Sequence, residues 1–568
     1  MVNLKEKPFN LSAEDIQWVE TTIASMTAEE KIGQLFINLG HRHDPAYLQE
    51  MLDKYHIGGV RYRPHNAETI YNQNQFLQHH SKIPLLIAAN METGGIGACT
   101  DGTLIGTNVQ IGAADHPDYA YQTGYVSGVE GAAVGCNWSF APVVDIQYNW
   151  RNPATLTRCF SDRPETVLRM ARAYFEGISE SGFAAAIKHF PGDGVDERDH
   201  HLLASVNTLD CDEWDRTYGM VYKGMIDAGI QSVMVGHIKL PDYSKKLNPN
   251  LSDPELLPAS LSPELINGLL RERLGFNGLV LSDASQMLGF MSAMRRSEAV
   301  PRAIAAGCDM FLFFNDPDED YQFMLDGYRR GVITEGRLND ALKRILGLKA
   351  SIGLHRKQRD GTLVPSRSGL NAVGCAEHQA IAREVADRTI TLVKQTRMDL
   401  PIRPETHRRI MLYALGDDVT FFGMKQDGVI GMVVEELNNA GFEVTLFDPR
   451  NNAEFFERRK VADFAKAYDA VMVFANCQQF SQTNYSRIKW SSPMSPEIPW
   501  YVTELPTVFV SLHNPFHLYD VPMVKTYINA YTPTRTVIRE TLRKIMGDSP
   551  FKGKSAVDAF CGVWDTRL

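Results

Sequence analysis

What the 568-residue sequence lacks narrows its chemistry before any motif is read. No stretch approaches the roughly 18 apolar residues of a membrane-spanning helix. The amino-terminal Met1-Val2-Asn3-Leu4-Lys5-Glu6-Lys7-Pro8 carries lysines with no apolar run behind them, so no signal peptide is expected. The eight cysteines form no Cys-x-x-Cys pair and no ladder, which argues against a zinc site or a disulfide framework. Individually buried, reduced thiols in a cytoplasmic protein are the expectation. Excess positive charge is missing too: the formal net charge is −10. That balance argues against nucleic acid or an anionic membrane as partner. The one short basic run, Arg458-Arg459-Lys460, reads as a solvated helix face. The carboxyl-terminal part lacks a Walker loop and a GxGxxG turn, which removes the simplest nucleotide-binding reading, and no internal repeat stands out.

What is present is ordinary globular material, 44% hydrophobic and 22% charged, with a mean hydropathy of −0.23. The length implies two or three domains. Between residues 33 and 314, eight short apolar runs alternate with amphipathic segments. The runs are 33–39, 58–63, 85–90, 139–146, 183–190, 232–237, 278–283 and 309–314. The segments include 165–179, 212–228 and 263–274. Such alternation implies a parallel sheet of buried strands, and eight units imply closure into a TIM-type (β/α)8 barrel over residues 1–354. A polar stretch at 355–374 reads as a linker. Further strand candidates at 409–415, 442–447, 470–475, 507–512 and 525–530 predict a second α/β sandwich domain over 375–568.

Several barrel runs start apolar and end polar: Asn90, Asp145, Lys188-His189, His237 and Ser282-Asp283. In a barrel those ends converge on the carboxyl-terminal mouth, where such enzymes place their active sites. The densest cluster is Lys188-His189-Phe190-Pro191-Gly192-Asp193-Gly194, continuing to Asp199-His200-His201. Its Pro-Gly-x-Gly suggests hinge-like freedom, and Asp-x-His sets a carboxylate within reach of an imidazole. Asp283, ending the apolar Leu279-Val280-Leu281, is either a helix cap or a carboxylate meeting substrate. Retaining sugar hydrolysis needs such a carboxylate nucleophile with a proton donor beside the leaving oxygen.

These motifs resemble family 3 glycoside hydrolases of the β-N-acetylglucosaminidase branch. The match rests on Lys188-His189-Phe190-Pro191-Gly192-x-Gly194 with Asp199-x-His201, and on Leu281-Ser282-Asp283. Support comes from Glu30-Lys31-Ile32-Gly33-Gln34-Leu35, Phe140-Ala141-Pro142-Val143-Val144-Asp145, Arg158-x-Phe160 and Ala306-Gly307-Cys308-Asp309. The resemblance covers residues 26–350 and is looser beyond 380. It implies double displacement, with Asp283 as nucleophile and His201, oriented by Asp199, as acid/base. It further implies that Lys188, His189, Arg158, Asn90, Asp145 and His237 bind the sugar, with no metal or cofactor.

The implied substrate is terminal β-linked N-acetylglucosamine from peptidoglycan fragments or chito-oligosaccharides. A phosphorylase, or a β-glucosidase or β-xylosidase, stands as the alternative. The implied partner is thus a small carbohydrate, bound by a monomer or homodimer. Three departures stand out: Asp193 occupies a usual histidine position, and His200 a slot often filled by a small residue. Asn90 replaces a usual aspartate.

Overall fold

The computed structural model describes residues 2–416, 420–421, 424–425, 428–449, 460–485 and 487–568. Arg458 and Arg459 of the basic run lie outside them. The chain forms two compact units. The first comprises residues 1–105, 120–155 and 164–379; the second comprises 106–119, 156–163 and 380–568.

The first unit holds a closed parallel barrel of eight strands: β1 Phe36–Gly40, β2 Gly59–Tyr62, β3 Leu86–Ala89, β4 Trp138–Ser139, β5 Ala184–Phe190, β6 Ser232–Val235, β7 Leu279–Ala284 and β8 Met310–Leu312. Each pairs with its successor, and β8 closes on β1 through Phe36↔Phe311 and Ile37↔Leu312. Each expected run overlaps one of these strands, because strands buried on both faces must be apolar throughout. Leu86, Ile87, Leu279, Val280 and Leu281 are fully buried. The run at 139–146 is interrupted. Pro142 has no amide hydrogen to give the ladder, and pairing resumes only at the Val143↔Lys188 bridge.

Side-chain caps start the intervening helices. Asp44 accepts from the Tyr47 amide ahead of Pro45–Asp53, Asn66 from Thr69 ahead of Ala67–His80, and Asp316 from Glu319 ahead of Pro317–Arg329. The segment expected as a linker, 355–374, lies within the first unit. It begins with the helix Leu354–Arg359, and it is tied down where the Tyr71 hydroxyl donates to the Pro365 carbonyl and Arg367 pairs with Glu68.

The second unit is built on a six-stranded sheet. Its strands are β9 Thr391–Gln395, β10 Arg409–Leu415, β11 Glu443–Leu446, β12 Ala470–Ala475, β13 Thr507–Ser511 and β14 Thr526–Asn529, in the order β9-β14-β13-β12-β10-β11. All pairs are parallel except β9 with β14. Alternate residues feed two cores, as the period of two requires. Ile410, Leu412, Met472, Val508 and Ile528 pack with Val433 and Leu542 of the helices Val429–Asn439 and Arg535–Ile545. Met411, Tyr413, Val471, Phe509 and Tyr527 pack on the other face with Phe464 and Tyr501, joined by Ile488 and Trp490 from the irregular stretch before Trp500. This is the expected α/β sandwich. No helix among the described residues is long and apolar enough to cross a membrane, and all eight cysteines are free.

Candidate active site

Strand β7 is apolar through Leu281 and then delivers Asp283 at the carboxyl-terminal end of the barrel. One Asp283 oxygen accepts from the Ala284 amide at 2.7 Å; the other lies 3.2 Å from His200 Nε2 and 4.0 Å from His189 Nε2. Burial alone would raise this carboxyl. The hydrogen bond from His200 and the charges of His189 and His200 instead hold it well below its ordinary value, so it is ionised.

Strand β5 contributes Lys188 and His189. Lys188 Nζ meets Glu92 at 2.7 Å. His189 Nδ1 donates to Asp145 at 2.7 Å, which turns its Nε2 toward Asp283. Asp145, expected to touch the sugar, is instead fully buried behind His189. Its oxygens take the amides of His189 and Asp193 as well as the imidazole. Burial raises its carboxyl and the His189 charge outweighs that, so it too sits low.

The loop after β5 carries the pair predicted from sequence. His201 Nδ1 donates to Asp199 at 2.6 Å, and the His201 amide donates to the same oxygen at 2.8 Å. Burial raises the Asp199 carboxyl, but the bond and charge of His201 pull it below its ordinary value. A carboxylate only accepts, so Nδ1 carries the proton and Nε2 is left for chemistry. The loop is anchored beside Asp283: the Leu288 amide donates to the His201 carbonyl at 2.9 Å.

The loop glycines, expected as a hinge, sit in a closely packed backbone. Gly192 and Gly194 have φ of +117° and +109°, and a Cβ on them would lie 2.1 Å from Tyr218 Cδ1 and 1.9 Å from the Ile146 carbonyl oxygen. Both are there for close approach. Trp214 Nε1 donates to the Pro191 carbonyl at 2.8 Å, the Tyr218 hydroxyl to the Asp193 carbonyl at 2.6 Å, and the Asn149 amide to the Gly194 carbonyl at 2.7 Å.

Two of the departures from the family pattern, Asp193 and His200, prove to be partners. Asp193 accepts from His200 Nδ1 at 2.7 Å and from Asn152 Nδ2 at 2.8 Å, and both His200 and Asp193 are buried. Burial disfavours a charged His200, yet Asp193 and Asp283 raise it well above the ordinary histidine value. His189 Nε2, His200 Nε2 and an Asp283 oxygen lie within 4.8 Å of one another, close enough to share a cation. The raised His200 supplies positive charge at that point.

Of the other expected residues, His237 spends both ring nitrogens on protein. Nε2 donates to the Ala284 carbonyl at 3.0 Å, and Nδ1 accepts from the Ser260 hydroxyl at 2.8 Å. Burial lowers it to about 4, so it is a neutral brace under the end of β7 rather than a free donor for sugar. Asn90 follows β3 and is exposed. Arg158 belongs to the second unit, where its carbonyl accepts from Asn108 Nδ2 at 2.7 Å. The first unit thus brings together Asp283, Asp199, His201, Lys188, His189, Asp145 and His237. Sequence reading assigned no role to Glu92, although it stands two residues beyond Asn90 in a stretch that differs from the family's.

A barrel whose mouth gathers an ionised carboxylate and carboxylate-oriented histidines defines a glycosidase-type enzyme. Residues 27–348 match the glycosyl hydrolase family 3 N terminal domain, and the chain belongs to that family of glycoside hydrolases. It is 45% identical over its whole length to all of a β-N-acetylglucosaminidase/β-glucosidase of Cellulomonas fimi. It is 32% identical over 42% of its length to a β-hexosaminidase of Methylobacillus flagellatus, covering 66% of that protein. The solved structure of the β-glucoside phosphorylase BglX superposes with a TM-score of 0.92 at 39% identity, over 99% of both chains. A family 3 β-N-acetylglucosaminidase from Paenibacillus shares the fold at a TM-score of 0.78 and 22% identity, over 95% of this chain and 100% of its own.

Proposed function

We propose that this enzyme cleaves terminal β-linked N-acetylglucosamine, and glucose as a second substrate, with retention. The observation that carries the reading is the pairing at one mouth of an ionised Asp283 with a carboxylate-oriented His201. Asp283 attacks the anomeric carbon as the glycosidic C–O bond breaks, and His201 gives its Nε2 proton to the departing oxygen. His201 then takes a proton from water, which attacks the anomeric carbon and returns the bonding electrons to Asp283. The named relatives of both sugar specificities support the sugar class. Peptidoglycan fragments or chito-oligosaccharides are the natural substrates under this reading, and the eight free thiols support a cytoplasmic setting.

Phosphate as the second acceptor is favoured by one observation. Each carboxylate named at the mouth is paired with a base: Glu92 with Lys188, Asp145 with His189, Asp193 and Asp283 with His200, and Asp199 with His201. An anionic acceptor then meets little net repulsion. Turnover of aryl β-N-acetylglucosaminide and aryl β-glucoside, with and without phosphate, tests both readings. Comparable hydrolysis in its absence sinks phosphorolysis, and no release from either glycoside sinks the function.

A further inference from the structure

His200 is a residue the two-step mechanism leaves unused, and the site is built around it. Its ring is fully buried, with Nδ1 2.7 Å from an Asp193 oxygen and Nε2 3.2 Å from an Asp283 oxygen. Both partners are carboxylates. A neutral imidazole carries one N–H and would turn a lone pair on one of them; the doubly protonated ring satisfies both. Asp193 cannot drift away from it. Its other oxygen is held by Asn152 Nδ2 at 2.8 Å and the Gly194 amide at 2.7 Å, and its own amide donates to Asp145 at 2.8 Å.

We propose that the Asp193–His200 pair is a positioning device for Asp283 that governs release of the sugar from the enzyme. The inference rests on the reading of Asp283 as nucleophile. In the glycosyl-enzyme, one Asp283 oxygen is esterified to the anomeric carbon and the carboxylate charge is gone. During breakdown the acceptor oxygen bonds to that carbon, the acceptor's proton passes to His201, and the C–O bond to Asp283 breaks with its electron pair returning to the carboxylate. The His200 N–H faces the group on which that charge reappears, so its hydrogen bond strengthens as the ester breaks. His189 Nε2 stands farther off, at 4.0 Å. In the first step the same bond stabilises the free carboxylate, so its loss does not slow attack. The pair therefore acts on one half-reaction.

The experiment compares wild type with His200→Ala, His200→Gln and Asp193→Asn on a dinitrophenyl β-glycoside, whose leaving group needs no acid. For His200→Ala we expect kcat to fall roughly 30-fold while kcat/KM stays within about threefold, so that KM falls with kcat. A burst of phenolate and a glycosyl-enzyme mass in quenched samples accompany that split. His200→Gln keeps an N–H donor without the charge and should restore kcat to within about fivefold of wild type. Asp193→Asn should show the same split at smaller amplitude. Equal losses in kcat and kcat/KM, or no loss, or no accumulating intermediate, overturn the proposal. If His200→Ala does not fold, the other two variants carry the test by the same criterion. Labelling of wild type by a deoxyfluoro glycoside checks the underlying reading separately, since an adduct away from Asp283 refutes the nucleophile without involving His200.

Discussion

The substitution Asp199→Asn isolates charge from geometry at the acid/base pair. The introduced amide retains a carbonyl oxygen to accept from His201 Nδ1 and from the His201 amide, contacts that Asp199 makes at 2.6 and 2.8 Å. What disappears is the negative charge that stabilises His201 when it carries both protons. The Asp199 side chain has no exposed surface, so solvent screening does not excuse the loss. A charge-assisted bond contributes about 1.5–3 kcal/mol and a neutral one about 0.5–1.5 kcal/mol. The difference, about 1–2 kcal/mol, corresponds to roughly a 5- to 30-fold loss of acid catalysis. His201→Ala removes the whole contribution, about 10²- to 10⁴-fold. Both losses should scale with the leaving group. Measured as kcat/KM across aryl β-glycosides from dinitrophenyl to unsubstituted phenyl, the variants should approach wild type at the acidic end and diverge steadily toward the other. Parallel lines, with every glycoside slowed by the same factor, would refute the assignment of His201 as proton donor.

Asp283→Ala should lose on the order of 10⁴ or more in kcat, because it deletes the group that forms the intermediate; assay of both aryl substrates checks this, and substantial residual turnover sinks the nucleophile. Gly192→Ala combines a positive φ with a Cβ 2.1 Å from Tyr218 and should destabilise by about 2–6 kcal/mol, seen as a lowered Tm. A hinge role would instead slow turnover at unchanged Tm. His200 is raised above its unfolded value by Asp193 and Asp283, so its contribution to stability is fully present below about pH 6.5 and is lost as pH climbs through its folded value. His200→Gln should therefore lower Tm more at pH 6 than in the alkaline range, and a pH-independent difference would contradict the buried imidazolium.

The barrel was legible because its strands are buried on both faces and must be written as unbroken apolar runs. Strand β9 was not. Thr391-Leu392-Val393-Lys394-Gln395 is the antiparallel edge of its sheet, half-buried and with a register shift between Leu392 and Lys394, so no clean pattern survives. Asp283 could be read from a carboxylate ending an apolar strand. Its bond to His200 spans 83 residues and depends on how the loop folds back, which no local pattern encodes. Residues 156–163 join the second unit through contacts far more remote in sequence, 395 and 396 residues apart. Ser161 Oγ donates to the Ala556 carbonyl at 2.6 Å, and the Asp558 amide to Asp162 at 2.8 Å.

Three histidines at the mouth are held in one way: Asp145, Asp193 and Asp199 each accept from Nδ1 of His189, His200 and His201, which orients each ring. Local chemistry alone would make them interchangeable as acid/base. Exposure separates them. His200 has no exposed side-chain surface and His189 has 5%, and the Nε2 of each turns toward Asp283; His201 keeps 17%. A proton donor must reach the departing oxygen and later exchange with an incoming acceptor, so it has to stand at the open side of the carboxylate. His201 meets that condition. The stacking of its ring on His200, 5.0 Å between centroids and 15° between planes, sets the exchangeable base directly above the buried one. Under the proposed mechanism, three copies of one couple divide into one that passes protons and two whose Nε2 faces the nucleophile.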